Sequence, residues 1–191
     1  IVGEFAREHP ELLIATKAVS VRSARKRNAS RGHLLSSLDA SLRRLRRSHI
    51  DIWHMHSWDP LTPIEETLSA IDIAVTSGKV RYVAVSNYSG WQLATAATHQ
   101  LGKPGNIVAA QMEYSLLERG IEREVIPAAQ AFGAGILAWS PLGRGVLTGK
   151  YRHSTPADSR AATSHFASFV SPYLTEKPRN ITDAVCKIGR A

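Results

Sequence analysis

With 191 residues, of which 43% are hydrophobic and 21% charged, the chain has the composition of an ordinary globular protein, and no apolar run reaches the ~18 residues of a membrane-spanning helix. Its one cysteine, Cys186, excludes an internal disulfide and a multi-cysteine metal site, and it predicts a reducing, cytoplasmic setting. The net charge of +8 reflects arginine clusters at 22–27 and 43–47. No aromatic residues interleave with them, so we interpret them as a solvated loop and an outer helix face, not as a nucleic-acid site.

The two ends of the sequence each read as part of a helix. The chain opens on IVGEFAREHPELL, which has the pattern of the middle of an amphipathic helix, and it closes on NITDAVCKIGRA, which has the pattern of a helix just begun. The first residue is not Met. We therefore expect residues 1–191 to be one partial domain, an excerpt of a longer chain.

Five segments share one form, in which a short apolar run ends in polar residues and a helical pattern follows. The runs lie at 12–17, 50–56, 80–87, 107–114 and 135–142. Helices are predicted over 30–45 with Ser30 as N-cap, from Pro63 to Gly78, from near Trp91, and over 121–132. The stretch 151–179 is the longest irregular segment, and its length is typical of a functional loop such as a lid.

Strands that alternate with helices predict a parallel sheet, either an open doubly wound sheet or a (β/α)8 barrel. Both architectures bind ligands at the carboxyl ends of their strands. In the run IDIWHMH, Ile52, His54 and His56 share one face, with His56 at the rim. We interpret His54, one layer deeper, as a hydrogen-bonded core residue.

The strand ends together predict one pocket. They offer a cation, an imidazole, amides that can pair with a carboxamide, and a flat aromatic ring: Lys17, His56, Ser86, Asn87, Gln111, Trp139 and Ser140. Because adjacent strands lie about 4.8 Å apart, Lys17 and His56 can meet in one site. A phosphate-loop motif at 143–150 is rejected because the pattern fails at Arg144 and Tyr151. No third ligand completes a zinc set with the two histidines, so no metal is predicted.

At this point the sequence resembles the aldo-keto reductase family, in the style of the bacterial branch that includes relatives of the potassium-channel β subunit. The matching stretches are ATK (15–17), NASRGHLLSSLDASLRRL (28–45), HIDIWHMHSWDPLTPIEETL (49–68), GKVRYVAVSN (78–87), AAQMEYSLLERGIEREVIP (109–127) and WSPLGRGVLTGKY (139–151). The resemblance implies a (β/α)8 barrel, of which this chain covers about strands 3 to 7. It also implies reduction of aldehyde or ketone carbonyls with a nicotinamide cofactor, usually NADPH.

The resemblance assigns the chemistry to a catalytic set of Asp, Tyr, Lys and His. Lys17 and His56 match the family lysine and histidine, whereas the Asp and Tyr belong to a loop after the second strand, which this chain does not include. Lys17 would lower the pKa of the tyrosine that protonates the carbonyl oxygen, and His56 would orient that oxygen. Trp58, in the loop after the histidine, would line the substrate site.

The same resemblance implies a cofactor site. Ser86, Asn87 and Gln111 would hold the nicotinamide carboxamide, and Trp139 would stack on its ring. The pyrophosphate path would be lined by Ser140, Leu142, Gly143 and Gly145, with Lys150 on a phosphate. Tyr114 is predicted to pack beneath the site.

Two alternatives to a working reductase stay open at the level of sequence. One is a regulatory protein that binds a nicotinamide cofactor without catalysis. The other is a truncated, inactive product: five strands alone leave two edges exposed, and barrels are closed to avoid such edges. We therefore expect the 191-residue chain by itself to be inactive and prone to aggregation.

Overall fold

The structure is a computed structural model and describes residues 1–19 and 27–189. The strands are β1 (Ala15–Ala18), β2 (Ile50–Met55), β3 (Val80–Ser86), β4 (Ile107–Glu113) and β5 (Gly135–Trp139). The helices are α1 (Val2–Glu8), α2 (Arg31–Leu45), α3 (Ile64–Thr76), α4 (Gly90–Gln100), α5 (Val125–Ala131), α6 (Ala167–Val170) and α7 (Glu176–Ile188). Short 3₁₀ turns cover Gly120–Glu122, Gly143–Thr148, Arg160–Ala162 and Ser171–Tyr173.

The five strands form one sheet in the order β1-β2-β3-β4-β5, and the first four pair in parallel. Each strand therefore lies beside the next one along the chain, with a helix between them. A doubly wound sheet would reverse its strand order at a switch point, and no reversal occurs among these strands. The architecture is that of a partial (β/α)8 barrel, which confirms the predicted fold class.

One side-chain contact shows that the sheet is curved. The Lys17 ammonium on β1 donates to the Gln111 side-chain oxygen on β4, although β2 and β3 lie between these strands. In a flat sheet the two strands would be about 14 Å apart, farther than the two side chains reach together. The sheet must bend so that the residues on its inner face converge.

The described residues form two compact units, Ile1–Met112 with Arg123–Leu137, and Glu113–Glu122 with Ala138–Ala191. In the first unit, apolar side chains of β2, α2, α3 and α4 make the core. Its largest fully buried members include Leu34, Leu38, Ile50, Trp53, Met55, Ile71 and Leu93. This burial is the main stabilising term, because each large apolar side chain removed from water contributes about 1.5–3 kcal/mol.

The second unit has a smaller core of its own. Val146, Tyr151, Val170 and Tyr173 are buried together, and Leu117, Phe169 and Leu174 pack against them. The core thus joins the loop after β5 to the stretch that the sequence analysis treated as irregular. That stretch contains α6 and two 3₁₀ turns, and α7 already begins at Glu176, within it. The prediction of one domain over residues 1–191 stays a prediction.

The arginine cluster at 43–47 combines an exposed helix face with one structural arginine. Arg43 and Arg44 are exposed on α2, as expected for an outer helix face. Arg47 instead donates to the backbone oxygens of Ala6 at 2.6 Å and His9 at 3.1 Å, at the end of α1. Such bonds satisfy carbonyls that a helix end leaves open. Residues 22–26 of the other cluster lie outside the described residues.

Among the described residues, no helix is both long enough and apolar enough to cross a membrane.

Candidate active site

The first unit brings the predicted catalytic pair together at the carboxyl ends of β1 and β2. Lys17 lies opposite His54 in the parallel register, so the two side chains point to the same face of the sheet. One residue further along, the His56 backbone N–H donates to the Ala18 oxygen at 3.0 Å. His56 is half-buried at the end of β2, whereas His54 is 2% exposed. His54 is therefore the deeper imidazole, as the alternation along the strand predicted.

Burial and the lysine charge keep both imidazoles neutral near pH 7. Burial lowers the pKa of His56, and the nearby Lys17 ammonium lowers it further. For His54, burial, Lys17 and His56 together lower the pKa to about 4. Partial burial also lowers the pKa of the Lys17 ammonium. These shifts cluster around one lysine at the strand ends, which is a common property of catalytic sites.

The three residues predicted to hold a carboxamide lie at the ends of β3 and β4. Ser86 is fully buried, and its hydroxyl lies 3.5 Å from His54 Nδ1. The Asn87 side-chain amide donates to the His56 backbone oxygen at 3.0 Å, and the Asn87 backbone N–H donates to the Gln111 backbone oxygen at 3.1 Å. The contact between Gln111 and Lys17 was not foreseen, because sequence reasoning gave these residues separate roles.

Trp58 lies half-buried in the loop after His56, and it belongs to an aromatic cluster. Its ring packs edge-on against Tyr88 and Trp91, with centroids 5.3 Å apart in both pairs. Neither partner was assigned a role from the sequence. One sequence feature could have identified these two partners: aromatic residues follow both β2 and β3 closely. The carboxyl ends of adjacent parallel strands lie at the same edge of a sheet, so residues just after them lie close together.

The second unit contains the remaining predicted cofactor residues. Trp139 ends β5 and stacks on Phe169, with centroids 6.4 Å apart and planes 20° apart. The Arg144 guanidinium lies 4.1 Å from the Phe169 ring centroid and forms a two-pronged pair with Glu113 at 2.6 and 2.7 Å. Arg144 also donates to the Phe169 backbone oxygen, so this arginine ties α6 to the loop after β5.

The loop after β5 lines a groove of about 370 Å³. Of the predicted phosphate-path residues, Ser140, Leu142, Gly145 and Lys150 line it, and Gly143 lies buried beside them. Arg144, Thr148 and Arg160 also line it, and none of the lining residues is acidic. Arg160 was missed because it lies in the stretch 151–179, where no local pattern predicts which residues turn toward the groove.

Two of the predicted site residues have a left-handed backbone conformation. Asn87 follows β3 with φ 57°, and Ser140 follows β5 with φ 52°. Left-handed backbone is uncommon for residues other than glycine, and where it persists it often marks a ligand-binding position. Gly145 has φ 93°, a backbone conformation that residues with side chains rarely adopt, so a substitution there would be strained.

Tyr114 is no substitute for the missing catalytic tyrosine. Its hydroxyl donates to Glu122 Oε1 at 2.9 Å, and this bond to a carboxylate raises the pKa of Tyr114. A raised pKa makes a phenol a weaker proton donor at neutral pH. Among residues 1–19 and 27–189, no group of three His, Cys, Asp or Glu side chains is placed to hold a metal ion.

Comparison with known proteins places these features in a family. The model of the aldo/keto reductase family matches residues 1–191. The uncharacterized oxidoreductase YrpG of Bacillus subtilis is 46% identical over 114 residues, 59% of this chain and 35% of that protein. The L-glyceraldehyde 3-phosphate reductase of Escherichia coli O157:H7 is 39% identical over 162 residues, 82% of this chain and 46% of that protein.

A third relative is named for a different role. The putative voltage-gated potassium channel subunit beta of Schizosaccharomyces pombe is 31% identical over 196 residues, 99% of this chain and 56% of that protein. The chain thus spans about half the length of the curated relatives it matches, or less.

Proposed function

Because the chain belongs to the aldo/keto reductase family, we propose that the whole protein reduces aldehyde or ketone carbonyls to alcohols with a nicotinamide cofactor, NADP(H). Lys17 and His56 are its catalytic residues within this chain. We also propose that the protein works in the cytoplasm, in keeping with its single cysteine. The partner is a small carbonyl compound.

The single observation that carries the proposal is the meeting of Lys17 and His56 at the ends of β1 and β2. The ammonium lies close enough to the imidazole to lower its pKa. A neutral imidazole presents one N–H donor, which suits a hydrogen bond to a carbonyl oxygen. A cation beside it favours negative charge as that charge develops on the oxygen or on a neighbouring phenol. This pairing suits carbonyl reduction.

The two residues divide the work on the substrate oxygen. His56 donates a hydrogen bond that orients the carbonyl, and Lys17 stabilises the charge that builds up as the carbon is reduced. The family resemblance implies that a tyrosine outside this chain delivers the proton. Lys17 would lower the pKa of that tyrosine, since a phenol with its ordinary pKa near 10 is a poor donor at neutral pH.

Each unit contains residues that suit one part of a nicotinamide dinucleotide. In the second unit, the groove after β5 offers Lys150, Arg160 and the Ser140 hydroxyl to a pyrophosphate, with no acidic side chain in its lining. In the first unit, Asn87 and Gln111 supply amide groups that suit a carboxamide, whereas the Ser86 hydroxyl is fully buried beside His54. Trp139 supplies a flat ring for stacking. When bound, the cofactor supplies the hydride that reduces the carbonyl carbon.

The test uses the full-length protein and follows loss of NADPH with an aldehyde present. Removing the cation in Lys17→Met or the donor in His56→Leu should lower kcat by about 10²-fold or more, the usual contribution of one such group. The dissociation constant for NADPH should change only a few-fold in both variants. Lys103→Met and His153→Leu remove an exposed lysine and an exposed histidine, and they serve as matched controls.

Two results would count against this assignment. Equal kcat values in Lys17→Met and wild type would show that the lysine takes no part in the reaction. A loss in Lys103→Met as large as that in Lys17→Met would show that the effect comes from general charge or stability.

A second candidate is a nicotinamide-binding protein without catalysis, in a regulatory role. It is favoured by the likeness to the putative potassium channel subunit beta, which extends over 99% of this chain. On this alternative the groove after β5 still binds the cofactor, while wild type and Lys17→Met both lack turnover. NADPH binding without any loss of NADPH in the presence of aldehydes would favour it.

A further inference from the structure

Arg144 lines the groove after β5, but its guanidinium already has partners within the second unit. Its Nε and Nη2 atoms donate to the two carboxylate oxygens of Glu113 at 2.7 and 2.6 Å, and its Nη1 atom donates to the Phe169 backbone oxygen at 2.5 Å. Each nitrogen of the guanidinium fork thus has an acceptor. A cation that is paired in this way with a carboxylate attracts a phosphate less strongly than an unpaired one.

Aromatic rings flank this ion pair. The centre of the guanidinium lies 4.1 Å from the Phe169 ring centroid and 4.7 Å from that of Tyr173. The Tyr173 hydroxyl also donates to Glu113 Oε1 at 3.2 Å. The side chains of Arg144 and Glu113 are each 15% exposed, so the pair is largely shielded from water. A planar guanidinium that is bonded in a fork and stacked on rings is held in one orientation.

Four separate segments of the second unit meet at this guanidinium. Glu113 ends β4, and Arg144 lies in the loop after β5. Phe169 belongs to α6, and Tyr173 lies in the 3₁₀ turn that follows α6. Removing the arginine would leave a largely buried carboxylate without its counter-charge, which is strongly unfavourable. The position of the loop relative to α6 therefore depends on one side chain.

The arginine also holds the backbone of the groove. Arg144 has φ 57° and lies between Gly143 at 55° and Gly145 at 93°, so three successive residues are left-handed. This conformation costs little for glycine but is unfavourable for arginine, and it persists only where surrounding contacts hold it. The pair with Glu113 is such a contact. Without it, we expect the loop to leave this conformation and the groove to change shape.

The same side chain lies close to the ring that is predicted to stack on the nicotinamide. Phe169, over which the guanidinium lies, stacks on Trp139 with ring centroids 6.4 Å apart. The guanidinium itself lies 5.9 Å from the Trp139 ring centroid. Displacement of the arginine should therefore also change how the indole is held.

We propose that Arg144 is a positioning residue of the cofactor site: held by Glu113, it fixes the groove backbone and the Trp139 ring and is not itself a phosphate ligand. This inference rests on the proposed function, because it takes the groove after β5 as the phosphate site of NADP(H). It deepens that proposal, because it gives the cations of the groove two different roles. Lys150 and Arg160 contact the phosphates, whereas Arg144 shapes the site.

Glu113 separates positioning from direct phosphate contact. If Arg144 bound a phosphate, Glu113 would compete for the guanidinium and add negative charge beside the groove, so Glu113→Gln would tighten NADPH binding. If Arg144 positions the loop, Glu113→Gln loosens the arginine and weakens NADPH binding. The two roles thus predict opposite signs for one substitution.

The experiment measures the dissociation constant for NADPH by calorimetry with the full-length protein. Arg144→Met should raise it about tenfold, and Glu113→Gln about threefold or more. The double variant should bind no worse than Arg144→Met, because the two side chains act as one unit. Arg144→Lys keeps the charge but loses the fork, so it should bind nearly as weakly as Arg144→Met.

A spectroscopic measurement and a control distinguish positioning from a general loss of stability. The near-ultraviolet circular dichroism of Trp139 is the wild-type spectrum minus that of Trp139→Phe, and this signal should be lost in folded Arg144→Met. Thermal unfolding checks folding, and the double variant, which leaves no unpaired charge, replaces Arg144→Met if the latter does not fold. Arg119→Met breaks an exposed two-pronged pair with Glu122 in the same unit and should change the dissociation constant by less than about twofold.

Tighter NADPH binding in Glu113→Gln, or wild-type affinity in Arg144→Lys, would show that Arg144 is a phosphate ligand and overturn the proposal. An unchanged dissociation constant or an unchanged Trp139 signal in folded Arg144→Met would overturn it as well. Aldehyde turnover is followed in parallel. If wild type binds NADPH without turnover and the substitutions still weaken binding, the reductase function fails and the role of Arg144 stands. If wild type binds no NADPH, both proposals fall.

Discussion

At the scale of single residues, His54 and His56 show how position on one strand separates two identical side chains. They lie two residues apart on the same face, yet His54 is almost fully buried while His56 reaches the rim. The rim imidazole is available to a substrate. The deeper one has its Nδ1 atom 3.5 Å from the buried Ser86 hydroxyl and is held neutral, with its pKa lowered to about 4.

The depressed pKa of His54 predicts a specific dependence of stability on pH. The folded protein binds this proton only near pH 4, whereas the unfolded chain binds it near 6.5. In that window the unfolded state binds more protons, so the free energy of unfolding falls as the pH falls from 6.5 toward 4. Between about pH 7.5 and about pH 5 the loss due to His54 is about 2 kcal/mol.

Urea unfolding of wild type and His54→Gln at both pH values measures this difference. Glutamine keeps polar groups near Ser86 but does not titrate, so His54→Gln should lose about 2 kcal/mol less than wild type on acidification. His56 titrates in both proteins, and its contribution cancels in the comparison. Identical pH dependence in the two proteins would contradict a neutral, buried His54.

At the scale of elements, two helices that begin with serine differ in how that serine is used. Ser89 before α4 forms a capping box with Gln92, whereas Ser30 before α2 makes no side-chain bond to its helix. Both positions were open to the same interpretation from sequence, and Ser30 was the one predicted as an N-cap. Its position before the helix is as expected, but the capping hydrogen bond is absent.

The contrast gives a matched pair of substitutions. Ser89→Ala should lower the free energy of unfolding by about 1 kcal/mol, the typical value of a serine cap. Ser30→Ala should lower the free energy of unfolding by clearly less, because no capping hydrogen bond is lost. Thermal or urea unfolding of both variants measures the two costs. A cost for Ser30→Ala equal to or above that for Ser89→Ala would show that the capping box does not fix the start of α4.

The strands were the elements that the sequence predicted best. Each of the five apolar runs overlaps a strand, because a parallel strand leaves a continuous apolar signal followed by polar residues. Helix limits were less accurate: α5 begins at Val125, four residues after its predicted start at 121, since a 3₁₀ turn comes first. The stretch 151–179 gave no signal for α6, whose position depends on the distant Arg144.

The candidate site was predictable in its membership but not in its contacts. Residues at strand ends are brought together by the fold itself, so Lys17, His56 and Gln111 could be grouped in advance. The contact between Lys17 and Gln111 depends on how far the sheet bends, and sequence does not encode this locally. Arg160 and Trp91 were missed for a similar reason, because packing determines where each of these side chains is exposed.

At the scale of the whole molecule, the proposed reaction needs two sets of residues, one for the carbonyl and one for the cofactor. The first unit contributes Lys17 and His56 for chemistry on the carbonyl. The second contributes the groove after β5, whose lining includes Lys150 and Arg160, for phosphates. Neither set alone distinguishes a working reductase from a protein that only binds the cofactor.

The most direct measurement is the transfer of deuterium to an aldehyde by the full-length protein, from NADPH that carries deuterium at both C4 positions. The alcohol product is analysed by mass spectrometry and NMR, with Lys17→Met as the reference. We expect an alcohol that carries deuterium on its carbinol carbon with wild type, and almost none with Lys17→Met. Binding of NADPH by wild type without any deuterated alcohol would contradict it.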